Sequence, residues 1–216
     1  EMRIISIGDL VTDFYYKNGK LIGVNGGMTS HNIVLNISKM NLQTAVYGVC
    51  GDDMLGDIAI RSLKDIGVNI DHIKIIKDLK TRCFHVSYDE DHGNLVFKSK
   101  KRCPLCNQKQ WYDESNIDVD DILKNINRED ILVFDNLNDK NQQIINHCSN
   151  RKMLDLGQYF ELEHYSDDEI IKKIRDKFDI INLNERVEKY LKGRYSVETL
   201  EEIYDILNPK MIIVTR

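Results

Sequence analysis

The stretch Gly26-Gly27-Met28-Thr29-Ser30-His31-Asn32-Ile33-Val34-Leu35-Asn36 decides how the rest of the chain is read. Two adjacent glycines lack Cβ atoms, so their backbone can come close to a ligand. A helix is predicted directly after them. Thr29 or Ser30 is expected to cap it, and Ile33, Ile37 and Met40 fall at helical spacing. Asn32 and Asn36 stand one turn apart, so both amides face the same way just past the glycine turn. Upstream, Met2–Gly8 is mostly apolar and reads as a buried strand. Phe14–Tyr16 and Leu21–Val24 flank Lys17-Asn18-Gly19-Lys20, a strong hairpin signal. Downstream, Thr44–Cys50 is a second buried strand. It leads into Gly51-Asp52-Asp53-Met54-Leu55-Gly56, a glycine turn with two carboxylates, which suit a helix N-terminus. Leu55, Ala59, Leu63 and Ile66 mark the helix that follows, and Gly67 ends it.

Further along, extended segments are predicted over Asp71–Ile76, Arg82–Tyr88 and Leu95–Lys98. From about residue 117 the rhythm changes to strands at Ile131–Phe134, Met153–Leu156, Asp179–Asn182 and Met211–Thr215. Helices lie between them, including Asp168–Phe178 and Val197–Leu207. This alternation implies an α/β fold, a doubly wound, mostly parallel sheet with helices on both faces. The hairpins around 14–24 and 82–98 do not fit the alternation and are expected to form a smaller β-sheet. The 216 residues are enough for one α/β domain over 1–216.

Composition narrows the function. With 30 basic and 35 acidic residues the net charge is −5, which argues against a general nucleic-acid binder. No apolar run has membrane-spanning length. The chain opens directly in a strand, so no signal peptide is expected, and its five cysteines read as reduced thiols in the cytoplasm. Cys103-Pro104-Leu105-Cys106 has zinc-ligand spacing. A structural zinc needs four ligands, and Cys83, Cys148, His85 or a second copy would have to complete the set, so ordinary thiols are the simpler reading. Lys98-Ser99-Lys100-Lys101-Arg102 is a basic run in an acidic chain. It is either a solvated loop or a contact for an anionic substrate through Lys100 and Arg102. Neither a G-x-G-x-x-G turn after the first strand nor a G-x-x-x-x-G-K-[ST] loop occurs, which argues against other nucleotide-binding α/β domains.

Taken together, Gly8-Asp9-Leu10-Val11-Thr12-Asp13, Gly26-Gly27 with Asn32, and Gly51-Asp52-Asp53…Gly56 resemble the ribokinase-like (PfkB) carbohydrate kinases over essentially the whole chain. The resemblance implies a doubly wound domain with a small β-sheet lid over a sugar. It implies ATP and Mg2+ as cofactors and phosphorylation of the hydroxymethyl group of a sugar or sugar acid. Asp13 would accept hydrogen bonds from sugar hydroxyls, and an ionised carboxylate makes the stronger bond. The backbones of Gly26 and Gly27 and the amide of Asn32 would hold the same sugar, with Asn32 one residue further on than in several relatives. Lys100 and Arg102 fall in a region where relatives contact the sugar. Asp155 resembles the acid of an Asp-Pro segment, here followed by Leu-Gly. Asn184 resembles the start of an Asn-x-x-Glu element that organises magnesium and phosphate, with Val187 at the glutamate position and Glu188 one residue beyond. Ile212–Arg216 resembles the strand before a Gly-x-Gly-Asp turn. The catalytic base is therefore expected beyond Arg216, and no catalytic residue is assigned within the chain. A nucleoside kinase, with Phe14, Tyr16 or Trp111 as an aromatic platform, and a non-catalytic sugar-binding remnant are the alternatives. No nucleic-acid or membrane partner is expected, and a homodimer through the lid is.

Overall fold

The computed structural model describes residues 2–8, 10–89, 94–99, 102–103, 106–107, 117–157 and 159–216. Strand β1 (Ile4–Ile7) is short and its Ile5 and Ile7 are wholly buried. Next come β2 (Val11–Lys17) and β3 (Lys20–Gly27), an antiparallel hairpin whose strands reach further than the sequence suggests. Their turn holds Asn18 and Gly19 at φ 50° and 72°. Paired positive values are what a two-residue hairpin requires, which explains the Asn-Gly.

The chain divides into two compact units, Ile4–Asp118 and Val119–Arg216 joined by the N-terminal residues to Arg3. In the first unit, β1 pairs in parallel with β4 (Thr44–Gly51), and β4 with β5 (Ile73–Ile76). Every residue of β4 is buried, as its uninterrupted apolar run implies. Helix α1 (Met28–Ser38) follows β3 without a break, and α2 (Met54–Asp65) follows β4. Leu55, Ala59 and Leu63 form the buried row of α2. Gly67 ends that segment at φ 82°, a left-handed value glycine tolerates.

Helix α1 departs from expectation in two ways. Neither Thr29 nor Ser30 caps it: the cap is Gly27, without a side-chain bond, because β3 runs straight into the helix. Its buried face is Ser30, His31 and Val34, not the row Ile33, Ile37 and Met40. Met40 lies past the helix end and is 70% exposed. His31 occupies the inner face because it has partners there, described below.

A separate mixed sheet has the order β3-β2-β6-β7, with β6 (Cys83–Asp89) and β7 (Asn94–Ser99). Strands β2 and β6 are parallel, and the other pairs are antiparallel. One face packs Phe14, Cys83 and Cys103 against Leu55 of α2. The opposite face gathers Val11, Phe84 and Val86 with Tyr15 and Met28.

The second unit alternates α3 (Val119–Asn125), β8 (Ile131–Phe134), α4 (Asp139–His147), β9 (Arg151–Leu156), α5 (Asp167–Ile174), β10 (Ile180–Asn184), α6 (Glu185–Tyr195), α7 (Leu200–Leu207) and β11 (Met211–Thr215). Strands β8, β9, β10 and β11 are neighbours in that order, all parallel. Two helices are shorter than their apolar patterns suggest. Asp176 takes a left-handed φ of 61° after α5, so Phe178 packs in the core from a loop. Thr199 and Glu202 form a capping box that starts α7 at Leu200 rather than Val197. Parallel strands alternating with helices, plus a small separate sheet, are the α/β architecture the sequence implied. Among the described residues no helix is long and apolar enough to cross a membrane.

Candidate functional site

Asp13 sits in the middle of β2, paired with Asn25 on one side and Phe84 on the other. Strand alternation puts it on the same face as Val11 and Tyr15. That face is apolar, and Asp13 is only 1% exposed. Burial therefore pushes its carboxyl up to about 6, although hydrogen bonds from the Met28 amide and the Tyr15 hydroxyl pull the other way. The Tyr15 hydroxyl lies 3.4 Å from Oδ2. The other oxygen, Oδ1, is buried with no hydrogen-bond partner. A buried carboxylate oxygen without a donor is costly, and a ligand hydroxyl would supply one.

The glycine pair is tied to this carboxylate. A Cβ on Gly27 would overlap the Asp13 carboxyl group, so only glycine lets the two coexist. A Cβ on Gly26 would overlap the His31 ring and the Ala59 carbonyl. Met28, the first residue of α1, has φ 67°, which is unusual for a residue with a side chain. That conformation accompanies the turn of its amide onto Asp13. Strained backbone of this kind gathers at functional sites.

His31 is buried between the two helices. Its Nε2 lies 2.7 Å from Ser62 Oγ in α2, and its Nδ1 lies 3.1 Å from Asn32 Oδ1. Burial lowers the affinity of this imidazole for a proton, and the Asn32 bond only partly offsets that. Asn32 itself is exposed. The structure thus brings Asp13, Gly26, Gly27, His31 and Asn32 into one connected stretch of the first unit. Tyr15, the Met28 amide and Ser62 join them, and sequence reasoning missed all three. Only Tyr15, two residues from Asp13 and therefore on its face, carried a signal that could have found it.

Of the basic-run candidates, Arg102 is exposed and its guanidinium donates to the Asn107 carbonyl at 2.9 Å. Lys100 lies outside the described residues. So do Pro104 and Leu105, between a buried Cys103 and an exposed Cys106. Among the described residues no group of three or more His, Cys, Asp or Glu side chains is placed to hold a metal.

The turn Gly51-Asp52-Asp53 has a structural task. Asp53 caps α2, accepting from the Gly56 amide at 2.9 Å, and its second oxygen accepts from the Thr81 amide at 3.1 Å. The Thr81 hydroxyl in turn accepts from the Gly51 amide at 2.9 Å. A Cβ on Gly56 would collide with the Gly51 carbonyl. The spacing of these residues is therefore fixed by a closed loop of hydrogen bonds.

In the second unit, Asn184 ends β10 and caps α6. Its Oδ1 accepts from the Val187 amide at 3.0 Å and its Nδ2 donates to the Gly157 carbonyl at 2.7 Å. Asp155 accepts from Asn182 at 2.7 Å. Val187 is fully buried in the apolar core. The carboxylate one residue on, Glu188, pairs with Lys192 at 2.9 Å and Arg216 at 2.5 Å. Hydrogen bonds from those two cations hold its carboxyl below the usual range.

Similar folds occur among sugar kinases. Fructokinase from Xylella fastidiosa superposes with a TM-score of 0.73 at 15% identity, covering 100% of this chain and 74% of that one. For 2-dehydro-3-deoxygluconokinase from Thermotoga maritima the TM-score is 0.74 at 14% identity, covering 99% and 72%. Fructokinase from Vibrio cholerae O395, solved with fructose, ADP and calcium, gives 0.72 at 17% identity, covering 100% and 70%. At these identities the likeness shows the fold, which is ribokinase-like. No significant match is found among curated proteins. The profile of the pfkB family of carbohydrate kinases matches residues 6–216, and the chain belongs to that family.

Proposed function

We propose that the protein transfers a phosphoryl group from ATP to the hydroxymethyl group of a sugar or sugar acid. The observation that carries this reading is the Asp13 carboxylate, buried on an apolar face with Oδ1 lacking a donor and Gly27 pressed against it. A sugar hydroxyl would supply that donor. The backbone at Gly26 and Gly27 and the Asn32 amide would hold neighbouring hydroxyls, and the small sheet would act as the lid. Lys100 and Arg102 would favour an acidic acceptor.

ATP with Mg2+ is the proposed donor, and the bound nucleotide supplies the phosphoryl group. The residues suit its phosphate end in one respect: Asn184 shapes the turn at the N-terminus of α6, where backbone amides favour anions. Both polar ends of its own side chain are engaged in that turn, so its role would be to hold the turn.

A nucleoside is the second reading, favoured by a cavity of about 220 Å³ lined by Tyr15, Tyr16, Val86, Tyr88 and Leu95. Aromatic rings there could stack on a base.

The test is ATP turnover with fructose, ribose, 2-dehydro-3-deoxygluconate and adenosine, with and without Mg2+, for the wild type and Asp13→Asn. Sugar-dependent ADP release that Asp13→Asn abolishes supports the proposal. Turnover with no acceptor in the panel, or turnover indifferent to Asp13→Asn, refutes it.

A further inference from the structure

Residues i and i+1 on a helix point about 100° apart and do not normally meet. The Asn32 amide nevertheless folds back to bring Oδ1 within 3.1 Å of His31 Nδ1. An amide oxygen can only accept, so Nδ1 must carry the proton. Nε2, then bare, accepts from the Ser62 hydroxyl at 2.7 Å. One neutral tautomer satisfies both bonds. His31 has no freedom to leave this arrangement: it is 2% exposed, and its ring fills the space above Gly26.

Asn32 is placed to use this. It lies one turn beyond Met28 on the same helix row. The Met28 amide bonds Asp13, and its side chain packs with Val11, Phe84 and Val86 on the Asp13 face of the small sheet. Asn32 is exposed, and with its amide oxygen engaged by His31 the NH2 group is the end left to donate to a ligand. Asp13 then offers an acceptor and Asn32 a donor, the two complementary functions that adjacent hydroxyls of a polyol need.

We propose that His31 is a positioning residue: through its Nδ1–H it fixes the Asn32 amide so that the NH2 group, not the oxygen, faces the acceptor sugar. Ser62, from a different helix, completes that tautomer by donating its hydroxyl to the bare Nε2 and holds the ring in place. The proposal rests on the reading of Asp13 and Asn32 as the acceptor site.

Two substitutions separate the bonds. Glutamine reaches the place of Nε2 and can keep the Ser62 contact, but it has no donor at the δ position. Asparagine places its NH2 where Nδ1 stands and can keep the Asn32 contact, but it loses Ser62. His31→Gln should raise the KM for the acceptor sugar about three- to tenfold, the worth of one hydrogen bond, with kcat unchanged. His31→Asn should restore KM to near the wild-type value, whatever it does to melting temperature. Two-bond 1H–15N spectra of 15N-histidine-labelled wild type, with the His31 signal assigned by its loss in His31→Gln, should show the neutral Nδ1–H tautomer at pH 7.5. An Nε2–H tautomer there overturns the proposal, because a bare Nδ1 would accept from the amide NH2 and the amide would then present its oxygen. Equal KM values for His31→Gln and wild type, or an equal rise in both variants, overturn it too. Asp13→Asn separates the two levels: if it leaves KM unchanged, the acceptor-site reading itself fails. If it impairs binding while His31→Gln does not, only the role of His31 fails. The tautomer measurement needs no substrate, so it decides the lock even where no sugar in the panel turns over.

Discussion

The Asp13 carboxylate stands where a side chain at Gly27 would have to go. The two residues come from neighbouring strands of one hairpin. Gly27 is therefore retained for space: its own φ is −150°, open to any residue. Gly27→Ala must push the carboxylate aside or bend β3. Overpacking of this kind costs about 2 kcal/mol. The expected outcome is a folded protein with a lower urea midpoint and an acceptor KM raised at least tenfold. A Gly27→Ala variant with wild-type KM would show that the carboxylate does not need this position.

The pH dependence follows from the same carboxylate. Its pKa is about 6 in the folded protein against an ordinary value of 3.8. Between those values the folded state holds a proton the unfolded state has lost, so stability falls as pH rises through this window. By pH 7.5 the ionised Asp13 costs the fold about 2–3 kcal/mol. Asp13→Asn is then expected to raise the urea midpoint at pH 7.5 and to change it little at pH 4. Acceptor binding runs in the opposite sense, since the ionised form is the better acceptor. Wild-type KM should fall as pH rises from 5 to 7. A pH-independent gap between wild-type and Asp13→Asn midpoints would contradict the assignment.

Why some of this was legible in sequence and some was not comes down to the range of the signals. Asn18-Gly19, the buried run of β4 and the Leu55–Leu63 row are local patterns, and each forms the element it implies. Asp13 and the glycines could be singled out because residue type and spacing carry the information. His31 could not. Its partner Ser62 lies 31 residues away on another helix, so an imidazole on the inner face of α1 had no local explanation. The inner face of α1 departs from the apolar spacing for the same reason: Ser30 and His31 displace Ile33 and Ile37 from it. The early end of α5 and the late start of α7 come from backbone terms, a left-handed Asp176 and a capping box, which override an apolar pattern that continues past them.

Asp53 allows a prediction of the opposite kind, stability without chemistry. Its two oxygens serve two amides, Gly56 at the start of α2 and Thr81 just before β6. Asp53→Ala removes the cap, worth about 1 kcal/mol, and leaves the Thr81 amide without this partner, worth about 1 kcal/mol more. Asp53→Asn keeps one acceptor oxygen and should lose about half as much. Chemical denaturation measures both. If KM shifts more than the unfolding midpoint does, Asp53 belongs to the substrate site instead.

The outer part of the small sheet bears on assembly. Ile22, Tyr88, Leu95 and Phe97 are 66%, 56%, 51% and 42% exposed. Tyr88 pairs with Leu95, and Val86 with Phe97, so Tyr88, Leu95 and Phe97 sit on the Asp13 face of β6 and β7, and Ile22 of β3 lines the same cavity as Tyr88 and Leu95. Contiguous apolar surface of this kind marks an interaction site more often than a bare surface. We propose that it meets the same sheet of a second copy, as a symmetric pair of lids would. Ile22→Glu together with Leu95→Glu places two charges from each copy in that contact, where burial without partners is costly. The wild type is expected to sediment as a dimer and the double variant as a monomer. Because Tyr15 joins this surface to Asp13, the monomer should also bind acceptor more weakly, with ATP turnover in the absence of sugar unchanged. A wild type that sediments as a monomer at micromolar concentration would leave the exposed rings to serve the aglycone of a nucleoside instead, and the adenosine assay would then take precedence over the sugars.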